Sequence, residues 1–185
     1  KAKLAKLVVL KSNFFREIVD MEKTSLAKRS RKLFTLSAFY NACAELLEGL
    51  AIGDLEKDAK LARNFWEETA KHFPAWKQVR KGGLAASEIR EGYIHSHGVA
   101  LQSIAKAGNE LLQNKNNWKN YLKDLEKIDW SRANTKLWEG RAMIGGVVSK
   151  SNINIILTTN VIKKQWGLQL NDEEQRIEDM HLNKI

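Results

Sequence analysis

The segment Leu125-Glu126-Lys127-Ile128-Asp129-Trp130-Ser131-Arg132, continued by Trp138-Glu139-Gly140-Arg141, marks where helical patterning gives way to irregular chain. Just upstream, Trp118, Tyr121, Leu122, Leu125 and Ile128 recur at i, i+3, i+4, i+7 and i+10, the apolar face of an amphipathic helix. Asp129 or Ser131 can cap the next element, and Asp129 can orient Arg132 or Arg141 through a paired hydrogen bond. Downstream, Met143 to Val148 suits a brief extended segment or hairpin, though nothing in it alternates cleanly. Asn152 to Leu157 is rich in β-branched residues and fits either a strand or a buried helical turn. Thr158-Thr159-Asn160 reads as a cap region for a helix from Val161 to Trp166, ended by Gly167. Asn171-Asp172-Glu173-Glu174 is a capping-box pattern opening a last helix over Asp172 to Leu182.

Working back toward the start, the same helical spacing recurs. Leu4, Leu7, Val8 and Lys11 form one short face, and Phe14, Phe15, Ile18 and Val19 a second cluster. Phe34 to Leu47 predicts a helix capped by Thr35 or Ser37, with Phe39, Ala42, Cys43, Leu46 and Leu47 inward and Gly49 beyond its end. Asp54 caps the next, whose stripe is Leu55, Ala59, Ala62, Phe65, Trp66 and Thr69, with the chain's single proline, Pro74, as its stop. Ser87 opens a long helix to Leu112, interrupted or bent at Gly98 and Gly108; Gly98, Leu101, Ala105, Gly108 and Leu112 form a narrow face for a partner helix. The chain therefore reads as all-α or predominantly α. It is a multi-helix orthogonal bundle in one domain, residues 1–185, with an irregular connector over 129–158 and short strands, if any, near 143–157.

A chain of 185 residues with 43% hydrophobic and 29% charged residues has the composition of a folded domain with a sizeable core. It starts on Lys1 within a Lys/Leu pattern and is expected to be the C-terminal fragment of a longer polypeptide. One cysteine, Cys43, excludes an internal disulfide framework and a cysteine-rich zinc site. No apolar run approaches the length of a bilayer span and no signal-peptide pattern is present, so a cytoplasmic location is expected by elimination.

Formal charge is +9, from 31 Lys and Arg against 22 Asp and Glu, which favours polyanionic partners. The densest basic run is Lys28-Arg29-Ser30-Arg31-Lys32, where the two arginines offer forked donors to phosphate. A solvated loop or helix end is the structural alternative for it. Lys77, Arg80 and Lys81, before Gly82-Gly83, form a second positive rim without P-loop spacing. Arg132 and Arg141, flanked by Trp130 and Trp138, suit anion binding better than bond cleavage; alternatively they are buried and paired with Asp129 and Glu139. His95 and His97 would point about 200° apart on a helix and so would not share a metal. No catalytic motif or order of acids and histidines is present, and no metal or cofactor is expected. The least unsuitable catalytic set is Asp129, Glu139 and Arg141.

Leu33-Phe34-Thr35-Leu36-Ser37-Ala38, the run Tyr93-Ile94-His95-Ser96-His97-Gly98-Val99-Ala100-Leu101, and above all Ile128-Asp129-Trp130-Ser131-Arg132 followed by Trp138-Glu139-Gly140-Arg141 and the Thr159-Asn160 helix resemble the C-terminal part of the DndB family of DNA sulfur-modification proteins. The likeness runs from about Phe14 to Glu174, and the Asp-Trp-Ser-Arg and Trp-Glu-Gly-Arg pair is its most specific feature. The resemblance implies a role in bacterial DNA phosphorothioation, as a regulator that binds promoter DNA of the modification gene cluster rather than as the sulfur-transfer enzyme. It implies a structural part for the signature residues Asp129, Trp130, Ser131, Trp138 and Glu139 and assigns no catalytic residue. The family's Asp-Gly-Gln-His-Arg motif belongs to its N-terminal part and is absent here. The expected partner is double-stranded DNA. A second copy of the chain and the preceding part of a longer protein are further expected contacts, and a membrane is not.

Overall fold

The structure, a computed structural model, describes residues 2–184. Helix α1 (Ala2–Lys11) is followed directly by α2 (Asn13–Ile18). Ser12 separates them, its hydroxyl accepting the Phe15 N–H at 3.2 Å. Strand β1 (Val19–Asp20) pairs in parallel with β2 (Phe34–Thr35), so residues 21–33 form a loop whose two ends are held together. Thr35 then caps α3 (Leu36–Leu46), and Asp54 caps α4 (Leu55–Ala70), both at the positions the sequence indicates. Pro74 acts differently from the expected stop. It occupies the first turn of a further helix, α5 (Pro74–Arg80), where its missing N–H costs nothing.

The long helix expected from Ser87 to Leu112 is three pieces: α6 (Ala86–Gly92), a 3-10 turn over Ile94–Ser96, and α7 (Gly98–Asn114). The break is tertiary in origin. The Ile94 N–H donates to the Trp130 carbonyl at 2.8 Å and the Arg132 N–H to the Gly92 carbonyl at 2.9 Å, so this backbone pairs with a distant extended segment instead of continuing its own ladder. Ser96 closes the end of α6 by donating its hydroxyl to the Ile89 and Tyr93 carbonyls, both at 3.0 Å.

The narrow face of α7, expected to meet a partner helix, is filled from within the molecule. Gly98 lies against Ala38, and a Cβ on Gly108 would come within 2.3 Å of the Phe65 ring. Nine of its residues from Val99 to Leu111 are buried, which makes α7 the central helix of the bundle, packed between α3 and α10 (Asn152–Gln165). Around it Phe15, Phe39, Trp66, Phe65 and Trp118 form a run of aromatic contacts at 5.1–5.8 Å.

Beyond α7, the segment expected as one amphipathic helix is a single turn, α8 (Lys119–Leu122), tightening into a 3-10 helix over Lys123–Lys127. Its buried residues, Leu122, Leu125 and Ile128, recur every third position, the period of a 3-10 helix. After the short α9 (Thr135–Trp138), capped by Asn134, an antiparallel hairpin joins β3 (Met143–Ile144) to β4 (Val147–Val148) through Gly145 and Gly146, both at positive φ. The ambiguous Asn152–Leu157 stretch is the start of α10, which is capped by Ser151. The expected cap residues Thr158, Thr159 and Asn160 therefore lie in mid-helix, all buried. Helix α11 (Asp172–Leu182) opens on the full Asn171/Glu174 capping box, as its sequence pattern indicates. Predominantly helical, with only two-residue strands, the fold agrees in class with the sequence reading.

Candidate nucleic-acid interface

The basic loop between β1 and β2 is built around a residue that charge counting does not single out. Arg90, on α6, sends its guanidinium into the loop and donates to the carbonyls of Ala27, Lys28, Ser30 and Lys32. A planar fork with five donors suits this task, because one side chain can gather carbonyls that face different ways. Burial lowers its pKa from the ordinary arginine value, against the opposing pull of Glu91. The loop is thereby held folded, with Lys28, Arg29 and Arg31 exposed. Glu22 and Lys23 N–H groups, both 2.9 Å from the Asp20 carboxylate, close its first turn, and hydrogen bonds from these groups hold Asp20 below the usual carboxylate range.

Within that loop the four expected phosphate contacts separate into two kinds. Arg29 and Arg31 are exposed and have no side-chain partner among the described residues, while Lys28 is exposed with only a 3.9 Å approach to Glu91. Lys32 is committed elsewhere. Its ammonium donates to the Glu17 carbonyl at 2.8 Å and the Arg16 carbonyl at 3.4 Å, capping the C-terminal end of α2. In the second basic group, Lys77 and Lys81 are exposed, but Arg80 pairs with Glu17 at 3.1 Å and lies over the Phe14 ring. These three sit on α5 and its C-terminal cap, not in the turn expected from the glycine pair.

Next to the basic loop lies a groove of about 500 Å³, lined by Leu26, Phe34, Arg90, His97, Arg132 and Lys150 among others, together with the first residues of α7. The first turn of α7 has no side-chain cap; the Ala100 and Leu101 N–H groups donate to the His97 carbonyl, and Gly98 and Val99 line the groove. His97 donates from Nε2 to the Arg90 carbonyl at 2.6 Å, leaving Nδ1 as an acceptor. Burial, together with the Arg132 and Arg90 charges, keeps its pKa below the ordinary histidine value despite the bond to Arg90. Arg132 donates to the Arg90 carbonyl at 3.3 Å and the Gly146 carbonyl at 3.0 Å, tying α6 to the hairpin while its charge stays on the groove wall. Its expected pairing with Asp129 does not form. Asp129 instead accepts from the Ser131 N–H and the Asn134 amide, at 3.0 and 3.1 Å.

Arg141 is placed otherwise. It is buried, and its fork meets the Glu178 carboxylate at 2.6 and 2.7 Å, with the Leu157 carbonyl at 3.2 Å. The expectation that it lies on an anion-binding surface is corrected by this geometry. The alternative, a buried ion pair, describes it, with a partner 37 residues away instead of Asp129 or Glu139. Burial pushes the Glu178 carboxyl up, but hydrogen bonds from Arg141 and Lys164, the Arg141 charge and the Asn160 amide outweigh it and hold its pKa at about 2. Glu139 accepts the N–H groups of Gly145 and Gly146, bracing the hairpin turn. Trp138 donates to the Asp129 carbonyl at 2.8 Å and stacks on Trp130 at 5.5 Å. Among the described residues no three His, Cys, Asp or Glu side chains come together as a metal-ligand set.

Arg90, Arg132 and Lys150 thus line one groove with the loop residues Thr24, Leu26 and Leu33, while Lys32, Arg80 and Arg141 are engaged within the fold. Arg90, His97 and Lys150 carry no signal of this role in the sequence. His97 lies within a run that the resemblance marks and Arg90 three residues before it, but nothing in their spacing announces a loop 60 residues upstream. Among the described residues no helix is long and apolar enough to cross a membrane. Comparison with curated proteins and with solved structures gives no match. The model of the DndB family, described as DNA-sulfur modification-associated, matches residues 1–169, nearly the whole chain up to the start of α11. The chain belongs to the DndB family of DNA-sulfur modification-associated proteins.

Proposed function

We propose that this chain is a DNA-binding regulatory domain of a bacterial DNA phosphorothioation system, acting on transcription of the modification genes. The observation that carries the reading is the pre-folded loop: Arg29 and Arg31 are exposed, with no side-chain partner among the described residues, on a backbone that Arg90 holds in place. An arginine on a backbone already folded loses less entropy on binding than one on a mobile tail. The groove lined by loop residues Thr24, Leu26 and Leu33 adds Arg132 and Lys150, cations of the same sign. The reading assigns no catalysis to this chain. Its least unsuitable catalytic set is already engaged, Asp129 in a turn, Glu139 in the hairpin and Arg141 with Glu178.

The test is a salt-titrated binding assay against promoter and random duplexes, each with and without phosphorothioates. The R29E/R31E double variant is expected to bind more weakly and to flatten the dependence of log K on log salt by about 2, since each phosphate contact contributes roughly 0.9. Unchanged affinity and slope with an intact fold would refute the assignment.

A docking module, joined to another part of a longer protein or to a second copy, is the second reading. It is favoured by Ile144, Ile153 and Met180, 50–59% exposed around a groove of about 450 Å³ between the hairpin and α11. Sedimentation of the chain alone, compared with an I144E/I153E variant, decides it: a monomer in both cases that ignores every longer form of the protein removes this reading.

A further inference from the structure

A second recess lies on the other side of the chain segments that wall the basic groove. Tyr93 and Ser131 form an isolated antiparallel bridge. Arg90, His97 and Arg132 line the groove described above, whereas Tyr93, His95 and Trp130 line a separate recess of about 320 Å³, with Phe73, His72 and Glu126. This is the lower end of the volume range of ligand sites.

Its walls are aromatic and its inner polar group is defined. The His95 ring stacks on Tyr93 at 5.1 Å with 17° between planes, lies 5.1 Å from Phe73, and meets Trp130 edge-on at 6.1 Å. His95 is 5% exposed. An indole N–H can only donate, so the 3.1 Å bond from Trp76 Nε1 makes His95 Nδ1 the acceptor and puts the ring proton on Nε2. Burial, with the His97 ring near it, lowers the His95 pKa to about 3, and the ring is neutral at ordinary pH. Nε2–H therefore has no hydrogen bond to another side chain among the described residues, and the ring that carries it lines the recess.

We propose that this recess binds a nucleobase, stacked against Tyr93 and accepting a hydrogen bond from His95 Nε2–H. A planar ring with an acceptor edge satisfies both features at once. A cation does not, because the innermost polar group is a donor. Nor does the rim hold a free cluster of acids: both Asp129 oxygens are engaged, and Glu126 stands 3.6 Å from His72 Nδ1. The base can come from an unpaired position in a strand or from a free nucleotide, since the chemistry is the same.

The experiment titrates the chain with adenosine, guanosine, cytidine and thymidine, reading the His95 imidazole nitrogens and the Tyr93 ring by NMR. At least one nucleoside is expected to shift both saturably. Tyr93→Ala should weaken that binding about tenfold, the usual effect of losing one base–aromatic stack, and Tyr93→Phe should restore it. R29E/R31E should leave it unchanged, so failure of the basic loop as a DNA contact would not imitate failure of the recess. No shift with any of the four, or a shift at His95 only with tetramethylammonium, overturns the proposal. A duplex with 2-aminopurine opposite an abasic site separates the sources. Quenching that Tyr93→Ala abolishes indicates a strand base, and quenching indifferent to Tyr93 beside intact nucleoside binding indicates a free nucleotide.

Discussion

Among single residues, the positions that matter most are those whose side chains reach across the molecule. Arg90 is one. Its four carbonyl acceptors span Ala27 to Lys32, and no lysine can reproduce that planar fork. Arg90→Lys is therefore expected to raise hydrogen exchange of the loop amides 27–32 while leaving that of α7 unchanged, and to weaken DNA binding without touching DNA itself. Cys43 is another whose behaviour is set by its surroundings. Burial pushes its thiol up to about 12, against a smaller downward pull from Trp66, so at pH 8 it is expected to resist iodoacetamide until the protein unfolds. Gly108 has no room for a methyl group, because a Cβ would sit 2.3 Å from Phe65. Gly108→Ala should cost about 1–3 kcal/mol, the usual penalty of overpacking a core, measured by urea unfolding.

Among the elements, α11 is attached in an uncommon way. Its apolar contribution is small, with Ile177 meeting Ile156 and Leu157. Charge does most of the joining: Glu178 takes Arg141 and Lys164, and Glu174 takes Lys163, which also reaches Glu110 on α7 at 2.6 Å. Lys163 is raised above the usual lysine value because these two carboxylates outweigh the effect of its burial. Glu178, held at about 2, works in the opposite sense. A carboxyl whose folded pKa is depressed contributes stability that is full above its unfolded pKa and is lost as pH falls through the folded one. Acid is therefore expected to loosen α11 between about pH 4.5 and 2, with a loss of about 3 kcal/mol from Glu178. Glu178→Gln should remove most of that pH dependence, and also leave the Arg141 charge uncompensated, destabilising the protein at neutral pH by about 3–5 kcal/mol. Circular dichroism across the acid range reads both effects. The partner that buries Arg141 lies beyond residue 169, outside the part that matches the family model.

For the molecule as a whole, local signals and long-range ones had different fates. Three caps were readable: Thr35, Asp54 and the Asn171/Glu174 box all begin helices where their chemistry indicates, since each bond they make spans three residues, whereas Ser87 and Thr158–Asn160 cap nothing. Inward faces were readable too, as Phe39, Cys43 and Leu46 on α3 demonstrate. What the spacing did not disclose was where helices break or run on. α10 is buried almost all round from Asn154 to Asn160, so no polar face remained to mark it as a helix. The long helix expected from Ser87 is broken by two backbone hydrogen bonds to a segment nearly 40 residues away.

The candidate interface divides along the same line. That the chain is helical, basic and of a recognisable family was already written in its residues, because composition, caps and motif order are local properties of the chain. Which cations remain free was settled by folding alone. Lys32, Arg80 and Arg141 look equivalent to Arg29 and Arg31 in sequence, yet the first three are taken up by the Glu17 carbonyl, the Glu17 carboxylate and the Glu178 carboxylate. How fully a cation's donors remain open to a ligand depends on partners brought near by folding, 15, 63 and 37 residues away along the chain.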